Sequence, residues 1–374
     1  MQPLRYLPLL LLVMLLVPSP ALTGAVPPPQ EMIRIAVVKG GDSVRLDGAG
    51  LLATDERGEP MRVGFPLTVM ASKDAVLVDG RPVRRLAVAA ASFITVNGKK
   101  YRGLIEVFPA GRGLLVVNQL PLEDYLVGLI NCEISSQWPI EAVKAQAVIA
   151  RTYALYQREN RKNALYHLES SVLDQVYEGC GIEDSRAVRG VRDTAGEVLT
   201  YKGKIIQAFY HSSCGGHTES AADVWGTDVP YLRGVDCKYC QNAPSVKWEL
   251  TLPYKKIEAL LKAGGYQLSG LHEIQPGTRN QSGRLNEVIL ITDRGRFSLK
   301  AVAFRKAIGY GVIKSTNFDV VNGDDAVRFN GAGYGHGVGL CQWGAKQRAG
   351  DGFNYREILS YYYPGTKVEQ YSHE

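Results

Sequence analysis

Residues 120–156 read LPLEDYLVGLINCEISSQWPIEAVKAQAVIARTYALY. Two helical patterns meet there at one acidic residue, Glu133. In the second pattern Pro139 suits a first helical position, where a missing N–H costs nothing, and Glu141 favours the first turn. Val143, Ala147, Ala150 and Ala154 then recur at helical spacing, and so many alanines let a helix pack closely against a neighbour. Glu133 sits among Ile130, Cys132, Ile134 and Trp138. A carboxyl with apolar neighbours holds its proton more tightly, because burial disfavours the charged form. A general acid working near neutral pH needs that property. The plainer alternative is a capping or surface glutamate.

Outward from this stretch, residues 1–25 read as a secretory leader. Arg5 supplies the positive end, Leu7 to Val17 the apolar core, and Ser19-Pro20-Ala21 or Thr23-Gly24-Ala25 a small-residue cleavage site. The apolar run is too short to span a bilayer, and without a cysteine at the cleavage site no lipid anchor is expected. An exported chain without a membrane span is the expectation, in the periplasm or at the cell wall outside. Removal of the leader leaves about 350 residues, more than one ordinary core holds. The net charge of +6 and the 45% hydrophobic content describe a globular protein. Its positive charge is dispersed, so it suits an anionic wall surface weakly and does not indicate nucleic acid.

After Pro27–Pro29, residues 32–118 read as a β-rich region of short strands. IRIAVV, LAVAAASFITV and GLLVVN carry the β-branched content, and Asn97-Gly98 is a two-residue hairpin signal. A core region follows at 119–245, helical from Leu120 to about Asn160, with a short helix expected from Ile182 to Thr194 and a turn at Tyr201–Gly203. Residues 246–328 read as an α+β insertion: an amphipathic helix at Leu252–Ala263, then RLNEVILITD and GRFSLKAVAF as two strands. The insertion is expected to wall one side of a groove or to bind neighbouring polymer. Residues 329–374 hold a Gly/His motif expected to complete the core region by meeting the central helical segment across a groove. There is no internal repeat.

Four stretches in this order carry a resemblance: QLPLEDYLVGLINCEIS with PIEAVKAQAVIARTYAL, then DQVYEG at 174–179, AFYHSSCGGHTESAADVWGTDVPYLRGV at 208–235, and GAGYGHGVGLCQWGAKQRAGDGFNYREILSYYYPGT at 331–366. Together they resemble the SpoIID/LytB family, the sporulation stage II protein D group of peptidoglycan-acting proteins. The resemblance implies an α+β, SpoIID-like fold with a β-rich N-terminal part, a central helical catalytic segment, a mixed insertion and a glycine-rich C-terminal motif. It implies a peptidoglycan lytic transglycosylase acting on glycan strands without stem peptides, and one catalytic glutamate, which falls on Glu133. Members called amidase enhancers keep the same domain and are described by their effect on a separate amidase. A cell-wall amidase or another murein hydrolase is therefore an expected partner besides the glycan strands.

The chemistry can be weighed apart from the name. A lytic transglycosylase breaks the MurNAc–GlcNAc bond without water, and one carboxyl can serve as acid and then base. An ordinary glycosidase uses two carboxyls, and Asp174 is the candidate second. Arg151, eighteen residues beyond Glu133, reads as a structural ion-pair partner or, following the resemblance, as a sugar contact. Gln175 and Tyr177 match the family's QVY element, in which amide and aromatic suit the edge and face of a sugar. Tyr210 and Ser212 offer hydroxyls. Trp225 reads either as a sugar platform or as core. Gly331, Gly333, Gly335, Gly337 and Gly339 surround His336 and leave room for backbone to line a groove, with His336 and Gln342 able to donate and accept hydrogen bonds. The missing Gly-Lys-Ser/Thr ending disfavours a nucleotide loop.

Six cysteines, all outside the leader, suggest disulfides in an exported chain. Yet Cys214-x2-His217, nineteen residues, and Cys237-x2-Cys240 supply four ligands at the spacing of a closed, structural zinc site. No catalytic cofactor is expected. The resemblance implies a different zinc set, one His and two Cys after the first helix, which is not matched here: His167 is followed by Glu169, Ser171 and Asp174, with Cys180 only later. Cys132 and Cys341 could pair as a disulfide if the first and last motifs share a cleft.

Overall fold

A computed structural model describes residues 30–111 and 113–372, and the leader read at 1–25 lies outside them. From Met32 to Pro121 the chain builds antiparallel strands in two sheets. The larger runs, in spatial order, Leu168–Glu169, Met32–Lys39, Gly113–Pro121, Leu104–Ala110, Leu86–Ala89, Leu52–Thr54, Pro60–Met61. Gly113–Pro121 is buried along nearly its whole length because both its faces are covered: Leu114, Val116 and Leu120 enter the main core, and Leu115 and Val117 pack on the other side with Phe108 and Tyr166, which explains the unbroken apolar run GLLVVN. The smaller sheet has six strands and includes the expected hairpin. Asn97 and Gly98 both adopt positive φ, 48° and 88°, as a tight two-residue turn between paired strands requires.

Eight helices follow among the described residues: α1 (Leu122–Glu133), α2 (Ile140–Asn160), α3 (Ser185–Arg192), α4 (Ala221–Trp225), α5 (Tyr254–Ala263), α6 (Ala301–Ile308), α7 (Gln342–Gly350) and α8 (Tyr355–Tyr362). The stretch from Leu120 to Asn160 is two helices that part just after Glu133, in agreement with the two patterns read there. Ile134 turns to extended backbone after Glu133, and Pro139 disfavours helical geometry in the residue before it. Helix α3 begins later than expected, at Ser185, where the Asp184 carboxylate caps it by accepting from the Arg186 and Ala187 amides.

Helix α2 is buried on every side. Val143, Ala147, Ala150 and Ala154 pack into a core shared with the first sheets and α1, including Ile33, Leu126 and Ile130. Ala145, Val148 and Ile149 pack into a second core with Leu340, Ile358 and Tyr363. A helix with this pattern shows little amphipathicity and belongs in the interior. Because α1 docks on it, Glu133 is held at the junction of the two cores.

The insertion has its own core, built on Trp248, Ile257, Phe304, Phe318 and Phe329. Two boundaries differ from the expectation. Leu252 and Pro253 end the strand Lys247–Pro253, so α5 starts at Tyr254. The strand Gly295–Lys300 gives way to α6 at Ala301, so the helical stretch expected from Phe304 to Ile308 begins three residues earlier. The third and fourth motifs run side by side: Tyr210–His211 pairs in parallel with Leu340–Cys341, and Ser213 bridges Tyr334. Gly339, at φ 73°, has no room for a Cβ, which would collide with the Phe209 carbonyl.

Candidate active site

A cleft of about 840 Å³ opens where α1, the third and fourth motifs and the insertion meet. Glu133 lines it from the last turn of α1. Three donors reach its carboxyl: the Val176 amide at 3.1 Å and the side chains of Tyr210 and Gln342. These favour the ionised form, but burial outweighs them and pushes the carboxyl up to about 7. Partial negative charge at the C-terminal end of α1 acts in the same direction. A carboxyl with its pKa near neutral can act as acid and as base.

The donors are themselves oriented. Tyr125 donates to Gln175 Oε1 at 3.0 Å, and Gln175 Nε2 donates to the Tyr210 hydroxyl at 3.2 Å, leaving the Tyr210 proton to point at Glu133. Gln342 donates to Gln146 Oε1 at 3.3 Å from the other side. Buried hydrogen-bonded chains of this kind hold each member in one orientation.

Of the sequence-predicted substrate contacts, Tyr210, Ser212, His336 and Gln342 line the cleft with Glu133, and Gln175 stands one layer behind, against Tyr210. Two residues belong elsewhere. Arg151 is fully buried, bidentate to Glu123 at 2.7 Å per bond and donating to the Glu197 and Val191 carbonyls. Its helix face turns toward α3 and not toward the cleft, so the ion-pair alternative is the one adopted. Tyr177 is buried against Tyr101 and Tyr125, with its hydroxyl at 3.3 Å from Asn118 Oδ1. Between Gln175 and Tyr177, both buried, Val176 lines the cleft and gives its amide to Glu133.

His336 accepts from the Val338 amide at Nδ1 and also hydrogen-bonds the Tyr210 backbone. Burial and the nearby Arg305 guanidinium push it down to about 3, so it is neutral and steadies the Tyr210 segment. Asp174 also lines the cleft, but both of its oxygens are engaged. Oδ1 accepts from Tyr153 at 3.0 Å, and Oδ2 from the Glu169 amide at 3.0 Å and from Arg161 at 3.4 Å.

Sequence reasoning missed Phe209, Tyr153 and Arg305 on the lining. Phe209 stacks on Trp225 with ring centroids 4.3 Å apart, and Trp225 is 46% exposed, which makes it a platform facing the cleft instead of core. Arg305 carried a readable signal, an arginine on the otherwise apolar face of AVAFRKAI. Helix α6 and Tyr310 form the wall that the insertion was expected to supply.

The cysteines depart from the expected set. Cys214, Cys237, Cys240 and Cys341 converge, all buried, with their sulfurs within 4.8 Å of one another. His217 is not among them and turns its Nδ1 to the Thr218 carbonyl at 2.6 Å. The Cys132–Cys341 pairing is not formed either, since Cys132 Sγ faces the Gly128 carbonyl at 3.6 Å while Cys341 joins the cluster. Where the resemblance implies a zinc ligand, His167 instead accepts the Arg34 amide at 3.2 Å.

The SpoIID family model, described as stage II sporulation protein, matches residues 110–201, which include Glu133 and Gln175. A domain of unknown function, DUF8618, matches 220–339. An uncharacterized protein of Brachyspira hyodysenteriae is 36% identical over 279 residues, 74% of each chain. The amidase enhancer of Bacillus subtilis is 30% identical over 328 residues, covering 74% of this chain but only 45% of its own length. Stage II sporulation protein D of Bacillus subtilis is 28% identical over 270 residues, 68% of this chain and 76% of its own. Among the described residues no helix is long and apolar enough to cross a membrane.

Proposed function

We propose that this chain, which belongs to the SpoIID family, is an exported peptidoglycan lytic transglycosylase that cleaves MurNAc–GlcNAc bonds of glycan strands and leaves 1,6-anhydroMurNAc ends. The observation that carries this reading is the difference between the two carboxyls on the described cleft lining, Glu133 and Asp174: only neutral donors reach Glu133, which burial raises to about 7, whereas Asp174 is paired with the Arg161 guanidinium. A water-using glycosidase ordinarily needs two working carboxyls. Here Glu133 donates its proton to the glycosidic oxygen as the C1–O bond breaks. The resulting carboxylate then accepts the proton of the C6 hydroxyl while that oxygen bonds to C1. Glu133 is deprotonated between the two halves and protonated again at the end, and a pKa near 7 suits both. Tyr210 and Gln342 stabilise the carboxylate between them, and the Phe209–Trp225 pair offers a sugar ring a flat apolar face.

The test is mass analysis of products from denuded glycan strands with wild type and Glu133→Gln side by side. Anhydro ends from wild type and none from the variant support the assignment. Reducing ends would replace it with hydrolysis.

A second reading has its own support, the 30% identity to a protein named amidase enhancer. Under it the cleft binds glycan and the chain stimulates a separate amidase. Glycan binding without product from either protein, together with amidase stimulation that survives Glu133→Gln, would favour that reading.

A further inference from the structure

The four converging cysteines carry an inference that does not depend on which reaction Glu133 performs. We infer that Cys214, Cys237, Cys240 and Cys341 bind one structural zinc ion as four thiolates. Cage size is the first argument. Tetrahedral zinc with Zn–S bonds of about 2.3 Å sets its sulfurs about 3.8 Å apart. Here every pair lies within 4.8 Å, and Cys214 and Cys240 are 3.5 Å apart. Two disulfides would instead resolve the sulfurs into bonded pairs at about 2.05 Å. A cluster of several irons and sulfides needs a wider cage.

The surroundings supply the second argument. The Cys214 and Gly344 amides both donate to Cys341 Sγ at 3.3 Å, and the Tyr362 hydroxyl lies 3.3 Å from Cys237 Sγ. Amide and hydroxyl donors aimed at sulfur stabilise thiolates, and outer partners of this kind orient metal ligands. Gly344 is needed for the approach, because a Cβ there would press on Cys237 Sγ and collide with Tyr362. Charge is the third. Zinc with four thiolates carries a net charge of about −2, and the fully buried Arg284 stands beside it, donating to the Cys214 and His217 carbonyls at 2.6 and 2.9 Å. That buried guanidinium offsets part of the charge and shares the rest with the buried Glu219 carboxylate, 3.9 Å away.

The ion would join distant parts of the chain. Cys214 follows the strand of Tyr210, Cys237 and Cys240 lie on the loop after α4, and Cys341 directly precedes Gln342. Both side-chain donors to Glu133 therefore sit within four residues of a ligand. Cys237 and Cys240 lie within the span 220–339, while Cys214 and Cys341 lie just outside it on either side, so the site would tie that region to the segments flanking it.

The experiment uses the full chain purified without chelator. Elemental analysis is expected to give one zinc per chain, and zinc-edge X-ray absorption four sulfur ligands at about 2.3 Å. His217→Ala retains the metal, while Cys341→Ser lowers zinc affinity at least tenfold. Should Cys341→Ser not fold, cobalt exchanged into the wild type gives the count, through thiolate-to-cobalt charge transfer matching four thiolates. Non-reduced peptide maps with these four residues in disulfides would overturn the inference. So would a three-sulfur, one-nitrogen shell lost in His217→Ala, or iron in place of zinc.

Discussion

Tyr210 donates a hydrogen bond to the Glu133 carboxyl while Gln175 Nε2 holds the Tyr210 oxygen at 3.2 Å. That bond favours the ionised carboxylate, so its removal must raise the carboxyl further above about 7. A hydrogen bond to a charged group contributes about 1.5–3 kcal/mol, or roughly one to two pH units. Tyr210→Phe keeps the ring and the packing. Its pH–rate profile on glycan is expected to move upward by about one unit, with the Val176 amide and Gln342 left to hold the carboxylate. An unmoved profile would mean that Glu133 is not the titrating group.

The same carboxyl makes stability depend on pH. Its folded pKa lies above its usual value of 4.5, so the folded protein binds the proton more tightly than the unfolded chain does. The favourable contribution is complete below about 4.5 and is lost as pH rises through about 7. Glu133→Gln has no such loss. The variant is expected to melt near wild type at pH 4.5 and to be more stable at pH 8 by about 1–3 kcal/mol, allowing for partial exposure. Thermal scans at the two pH values measure this directly. Equal melting of the two proteins at pH 8 would mean that burial does not penalise the charge.

Arg151 stabilises the fold and does not serve the cleft. Replacing it with lysine leaves a point charge where two bonds of 2.7 Å to Glu123 and two backbone carbonyls require a planar fork. Arg151→Lys is expected to cost about 2–4 kcal/mol, kept below the fully buried range because Glu123 is partly exposed. Glycan KM of the folded fraction stays at the wild-type value. Denaturant unfolding beside steady-state kinetics separates the two effects, and a raised KM at unchanged stability would return Arg151 to the substrate.

These cases show which features local sequence can specify. Asn97-Gly98 dictated its own turn through positive φ, and Glu133 was legible because a lone acid ended an apolar helix pattern. Arg151 was not, since a helix buried on every face gives no periodic sign of which side meets the cleft. His217 fitted a ligand spacing, but Cys341 took its place from a hundred residues away, through the pairing of Tyr210–His211 with Leu340–Cys341. Trp225 needed Phe209 as a partner before exposure could be told from burial. Local chemistry was readable, whereas the pairing of distant segments was not.

Asp174 supplies the sharpest division between one carboxyl and two. Its oxygens accept from Tyr153, the Glu169 amide and Arg161, so it ties the loop before Gln175 to α2 and its C-terminal turn. Asp174→Asn keeps the shape and one acceptor but weakens the pair with Arg161. It also sets an NH₂ against either an N–H or a hydroxyl. The expected cost is about 1–2 kcal/mol of stability, visible as a lower denaturation midpoint. Product chemistry should not change, with anhydro ends appearing at a rate within about tenfold of wild type, since a loosened loop shifts the Val176 amide by little. A second catalytic carboxylate would behave differently. Loss of turnover beyond a hundredfold with the midpoint unmoved would put Asp174 into the chemistry, and the cleft would then be that of a two-carboxylate glycosidase.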